Sequence, residues 1–377
     1  MGMENPVYMD HNATTAVRPA VKDALARALD LIGNASSVHG AGRAARKHVE
    51  DSREQVAALV GARPAGVVFT SGGTEANNLA IRGAIRGANR RVLVSAVEHV
   101  SVLKSVAEPE IIAVDADGVI DLGALDAALA ANDEAALVSV MLANNETGVI
   151  QPVAEVSSLA KKHGALVHCD AVQAAGKIAV DVKALGIDML TLSAHKIGGP
   201  QGIGALVSAD DQALQPIIRG GGQERSRRAG TENLPGIVGF GVAAVEALKD
   251  LPGAAGLNVW RDRIETDLAQ HQGVRIFGAG VNRLANTTCL TMPGVEAEQQ
   301  LIALDLAGIA VSAGSACSSG KVEPSHVLAA MGIEAEEAAT AIRVSMGWST
   351  TEQDVERFCA AWDDVRAKAQ GKKRTAA

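Results

Sequence analysis

Seven short apolar runs alternate with segments of helical periodicity between residues 66 and 209, and this alternation constrains the chain more than any other feature. The runs are GVVFT (66–70), RVLVSA (91–96), EIIAVDA (110–116), AALVSVMLA (135–143), ALVHCDA (165–171), DMLTLSA (188–194) and IGALVSA (203–209). Each has strand length and ends in a turn-forming or polar cluster. Strands separated by helical crossovers predict an α/β layer structure around a largely parallel, seven-stranded sheet. The segment before them, RAARKHVEDSREQVAALV (43–60), reads as a helix. Arg46 and Glu50 stand at helical spacing, Val49, Val56 and Leu59 form an apolar seam, and Gly61 and Pro64 end it.

A change of composition at LKDLPGAAG (248–256) suggests a second unit. Beyond it, the strand-like NTTCLTM and IAVSAG mix with helical patterns at 296–307 and 351–369. The expected division is a large domain over residues 13–250 and a smaller α+β domain formed by 1–12 and 251–377. At 377 residues and 47% hydrophobic content, both units can bury cores. No apolar run reaches membrane-spanning length, and MGMENPVYMD lacks the basic and apolar regions of a secretory signal. A soluble, cytoplasmic protein without a membrane partner is expected. The net charge of −8 argues against direct nucleic-acid binding, in spite of a local cluster of Arg219, Arg225, Arg227 and Arg228. The four cysteines include no CxxC pair, so a resident metal and a disulfide framework both read poorly.

In open α/β sheets, ligands bind beyond the carboxyl ends of the strands. Those positions are polar here. SGGTEANN follows VVFT and places Gly73 and Thr74 at a helix start, where backbone N–H groups suit a phosphate. Glu98 and His99 follow the second run, and Asn144 and Asn145 follow the fourth. Asp170 and Gln173 follow the fifth, and Ser193, His195 and Lys196 follow the sixth. Asp170 and Lys196 lie 26 residues apart at the ends of consecutive strands. A lysine that condenses with an aldehyde and an aspartate that holds a protonated pyridine nitrogen are what pyridoxal 5'-phosphate requires. Farther on, VSAGSACSSG (311–320) presents Cys317 among small residues, the setting of an accessible, reactive thiol rather than a packed one.

Over nearly its whole length the sequence resembles the cysteine desulfurases of the NifS/IscS type, in the class V aminotransferase group of fold-type I pyridoxal-phosphate enzymes. The resemblance rests on YMDHNATT (8–15), FTSGGTEANNLAIRG (69–83), EHVSV (98–102), HCDAVQAAGK (168–177), SAHKIGGPQGIG (193–204), GGGQERSRRAGTEN (220–233), SAGSACSSG (312–320) and AIRVSMG (341–347). It departs from the usual pattern at Ile197-Gly198-Gly199, Val172 and Ala174-Ala175. The resemblance implies that Lys196 bonds the cofactor, Asp170 partners its pyridine nitrogen, Gln173 meets its phenolic oxygen and His99 stacks on its ring and serves as an acid or base. It further implies that Gly73, Thr74, Ser193 and His195 hold the phosphate, with Thr231 reaching across a homodimer. Asn145 would lie beside the ring, Arg343 would clamp the carboxylate of L-cysteine, and Cys317 would accept the sulfur as a persulfide. The acceptor stays open between an iron–sulfur scaffold, with which Cys317 would transiently share a cluster, a tRNA-thiolation relay and another carrier. A selenocysteine lyase is the rival reading within the same fold.

Overall fold

The structure is a computed structural model that describes residues 6–86, 88, 90–208, 214–314 and 324–376, with side chains as far as residue 371. Cys317 lies outside the described residues. The strands in chain order are β1 (Val7–Tyr8), β2 (Val67–Thr70), β3 (Arg91–Ser95), β4 (Glu110–Ile112), β5 (Ala136–Ser139) and β6 (Leu166–Asp170). They continue with β7 (Met189–Ser193), β8 (Gly204–Ser208), β9 (Thr287–Thr291), β10 (Ile309–Ala310), β11 (Ser312–Ala313) and β12 (Ala341–Ser345).

All seven apolar runs form strands of one sheet, in the order β2-β8-β7-β6-β5-β3-β4. Strands β3 to β7 are mutually parallel, and β8 is antiparallel to both of its neighbours, β2 and β7. It follows that β2 points the same way as β7, and six carboxyl ends open onto one edge. Adjacent residues serve opposite faces, as the pleat requires. Val138, Leu190 and Val207 join one apolar cluster, whereas Leu137, Met189 and Leu206 join another. Burial on both faces explains why these strands read as continuous apolar runs rather than as alternating ones.

The predicted helix is Gly40–Leu59, and it packs with helix Leu234–Ala254 over the first face. Gly241 permits this approach, since a Cβ there would meet Ser52 Cα at 2.9 Å. Helix Gly73–Ile85 covers the second face. The N-terminal segment crosses the molecule: β1 pairs in parallel with β10, and Asp10 bridges to Ser345. Val7 and Met9 are buried with Ile264, Leu290, Val344, Phe358 and Trp362 in a separate apolar cluster. Strands β11, β12 and β9 form an antiparallel sheet there. Helix Leu234–Ala254 continues through position 250, and the next helix starts at Leu257. Among the described residues no helix is long and apolar enough to cross a membrane.

Candidate active site

Strand β7 delivers Lys196. The strand ends at Ser193, a single 3-10 turn spans Ala194–Lys196, and Gly198 then takes φ +84°, a left-handed conformation that turns the chain back toward β8. A side chain at Gly198 would also press on Arg18, with a Cβ only 2.7 Å from Arg18 Cγ. The turn leaves Lys196 Nζ donating to the carbonyls of Asn12 and of Ala13, the latter at 2.7 Å. The crossing N-terminal segment thus seats the lysine.

A crevice of about 310 Å³ opens at this strand edge, and Lys196 lines it with Gly73, Thr74, His99, Asn145, Asp170, Gln173, Ser193, His195 and Arg343. Asp170 is buried at the end of β6, where Oδ2 accepts from Asn77 Nδ2 (2.8 Å) and Oδ1 accepts from the Val172 N–H (2.9 Å). Gln173 donates from Nε2 to the Asn12 carbonyl (2.9 Å) and accepts at Oε1 from Lys177 Nζ (2.8 Å). The side-chain amide of Asn145 shows no hydrogen bond among the described residues, while the Asn145 backbone carbonyl accepts from Arg343 (3.1 Å). Arg343, on β12, is buried and pairs with Asp10 at 2.7 Å, and its Nε has no hydrogen-bond partner. Thr231 is exposed and does not line the crevice within one chain.

Burial sets the protonation of the crevice. It pushes the Lys196 amine down to about 8, with help from Arg343 and against the opposing pull of Asp10 and Asp170. Burial and Lys196 lower His195 to about 4, so that ring is neutral. The Lys177 amine is held well below its ordinary value by burial, Lys196 and Arg343. His99 lines the crevice as an exposed residue, and its pKa is lowered, chiefly by loss of hydration.

Size alone does not mark the chemical side of Lys196. A larger cavity of about 490 Å³ borders the same lysine between His11, Lys177, Trp260 and Trp348. Its one carboxylate among the described residues, Asp250, is already paired with Arg18 at 2.5 Å. The smaller crevice instead joins an amine, a buried carboxylate and an anion cradle. Helix Gly73–Ile85 has Gly72 at its N-cap position and no side-chain cap, so its first N–H groups are available beside Ser193 and His195. At Gly73 a Cβ would come within 3.1 Å of Val172 and 3.6 Å of Ser193, so glycine keeps the cradle open. This donor set fits pyridoxal phosphate.

Several residues that shape the site carry no chemistry in the sequence reading: Asp10, Asn12, Asn77, Ser101 and Lys177. Their only signal was a place inside motifs such as YMDHNATT and EHVSV.

Comparison with known proteins agrees with this arrangement. The model of the family "Aminotransferase class-V" matches residues 7–358. An IscS-like cysteine desulfurase of Mycobacterium tuberculosis is 43% identical over 366 residues, covering 93% of each chain. A cysteine desulfurase of Cereibacter sphaeroides is 45% identical over 365 residues, again covering 93% of each. The X-ray structure of a NifS-like protein from Rickettsia africae superposes with a TM-score of 0.89 at 38% identity, over 96% of this chain and 99% of that one. The structure of SspA in complex with cysteine gives a TM-score of 0.78 at 31% identity, over 90% of this chain and 98% of that one. The family match, the identities and the superposition agree, and the chain belongs to the class-V aminotransferase family, among its cysteine desulfurases of the NifS/IscS type.

Proposed function

We propose that this chain converts L-cysteine to L-alanine with pyridoxal phosphate as cofactor and retains the sulfur as a persulfide on Cys317. The observation that carries the reading is the low-pKa amine of Lys196 in one crevice with Asp170 and Arg343. Lys196 and Asp170 would hold the cofactor at its two reactive ends. Gly73, Thr74, Ser193 and His195 would receive its phosphate, with Gln173, Asn145 and His99 around the ring. When bound, the cofactor supplies an electron sink that makes the Cα proton of an amino acid removable.

The chain's own residues do the rest. Arg343 is pre-oriented by Asp10 and by the Asn145 backbone carbonyl, and its guanidinium would pair with the substrate carboxylate. Lys196 Nζ in its neutral form takes the Cα proton. His99 serves as the acid or base for the sulfur step. The Cys317 thiolate attacks the substrate sulfur: the Cβ–S bond breaks, an S–S bond forms, and the carbon skeleton gains a proton at Cβ. The net change is cysteine plus a protein thiol giving alanine plus a protein persulfide, which balances without an external oxidant.

Residues 13–250 would act as the cofactor-binding domain, and residues 1–12 with 251–377 as the smaller one that carries the cysteine loop. Thr231 would complete the phosphate site of the other subunit in a cytoplasmic homodimer. An iron–sulfur scaffold is the acceptor we favour. Incubation of the cofactor-loaded protein with ³⁵S-labelled L-cysteine is expected to give equal alanine and protein-bound sulfur, released by thiol and mapped to the Cys317 peptide. Label elsewhere, or no alanine, rejects the reading.

Arg343→Lys is expected to raise KM for cysteine about 10- to 100-fold with a smaller change in kcat, because an ammonium cannot make the paired contacts of the fork. Steady-state kinetics checks this split.

A further inference from the structure

A directional chain of hydrogen bonds runs from Asp170 to His99. The Asp170 carboxylate only accepts, so the atom of Asn77 facing Oδ2 at 2.8 Å is the donor Nδ2. The second N–H of that amide goes to Ser101 Oγ, also at 2.8 Å. Because Ser101 Oγ accepts there, its own hydrogen is free for His99 Nδ1, 2.7 Å away. The Ser101 backbone N–H also points at Nδ1, at 3.2 Å, with His99 as the cap of helix Val100–Leu103. Nδ1 therefore faces two donors, and a proton there would clash with both. His99 Nε2 has no hydrogen-bond partner among the described residues, and the ring lines the crevice.

We propose that Ser101, oriented by Asn77, is a positioning residue that fixes His99 as the tautomer protonated on Nε2, so that the crevice meets an N–H donor in a fixed orientation. The proposal rests on the functional reading above only for the use of that donor. The tautomer itself follows from Asp170, Asn77 and Ser101. The interior location supports it: Asn77 is 1% and Ser101 8% exposed, so water does not compete freely for these bonds. The charged or titratable groups that face His99 are Asp170 from β6, Lys196 from the turn after β7 and His326 from helix His326–Ala330. His326 Nε2 lies 2.9 Å from the Glu98 carbonyl, and donation there occupies that nitrogen.

The test uses cofactor-loaded protein carrying ¹⁵N-labelled histidine rings. In the parent, the His99 signal, assigned by its absence from His99→Gln, is expected to show an acceptor-type Nδ1 and a protonated Nε2. Ser101→Ala is expected to give a mixture of tautomers and to lower kcat about tenfold, the effect of one lost hydrogen bond, with little change in KM. Ser101→Thr, which keeps the hydroxyl, is expected to restore both the signal and kcat. A ring spectrum in Ser101→Ala identical to that of the parent overturns the proposal and leaves Ser101 as a helix residue only. If the tautomer shifts as expected but neither protein makes alanine from cysteine, the positioning role stands and the functional reading fails.

Discussion

Lys196→Ala is expected to lower alanine formation from L-cysteine by at least about 10⁴-fold, because in the proposed function one atom would supply both the bond to the cofactor and the proton acceptor for Cα. The structure adds a pH dependence. Burial and Arg343 bring the amine down to about 8. At pH 7.5 roughly a quarter of the molecules then hold a neutral Nζ, against about one in a thousand for an unperturbed lysine. In the parent, the rate at which cofactor-free protein takes up pyridoxal phosphate, followed by absorbance, is expected to rise through a midpoint near 8 and then level off. A midpoint near the ordinary lysine value would show that the Asn12 and Ala13 carbonyls keep the amine charged, and would contradict the proposed role of burial. Since Arg343 contributes to the lowering, Arg343→Gln is expected to move that midpoint upward.

The sheet was legible because its strands are buried on both faces, so an apolar run of strand length had few other readings. The crevice was legible because a mainly parallel sheet gathers its polar strand ends at one edge, and Asp170 and Lys196 fall on adjacent strands there. The support behind those residues was not. Asn12 and Lys196 stand 184 positions apart, and Asn77 and Asp170 stand 93 apart. Asparagine and serine in a motif have many uses, and only the folded geometry shows which donor meets which acceptor. β1 is two residues long and carries no periodicity, so its pairing with β10 leaves no pattern in the sequence. Thr231 has the opposite character: its expected role depends on a second subunit, and a single chain leaves it exposed.

The arginine-rich segment at 219–228, first visible as a patch of charge, is held by an ion pair buried in the fold. Glu224, Arg225 and Ser226 take φ of +47°, +57° and +64°, three successive non-glycine residues in the left-handed region. Each costs about 1 kcal/mol or more, so the turn requires an anchor. Glu224 provides it. Its carboxylate accepts from Arg53 NH1 at 2.8 Å and NH2 at 3.0 Å and from the Phe69 N–H at 2.9 Å, with both side chains almost fully buried. Arg53 also donates to the Val67 carbonyl at 2.7 Å and lies 5.0 Å from the Phe69 ring centre. Arg53→Met leaves the Glu224 charge buried with only the Phe69 N–H as a donor among the described residues, and is expected to lower unfolding stability by about 3–5 kcal/mol in urea titration of the cofactor-free protein. The double variant Arg53→Met, Glu224→Leu removes both charges and is expected to recover part of this loss. It should not recover all, because the left-handed turn then has no carboxylate to hold it. A loss below about 1 kcal/mol in Arg53→Met would place the anchor elsewhere. Five residues beyond the turn stands Thr231, and between them Arg228 pairs with Glu75 at 2.8 Å on the helix whose start lines the crevice. The buried pair, the strained turn and the cradle are thereby one mechanical unit, and weakening the first is expected to lower affinity for pyridoxal phosphate as well as stability.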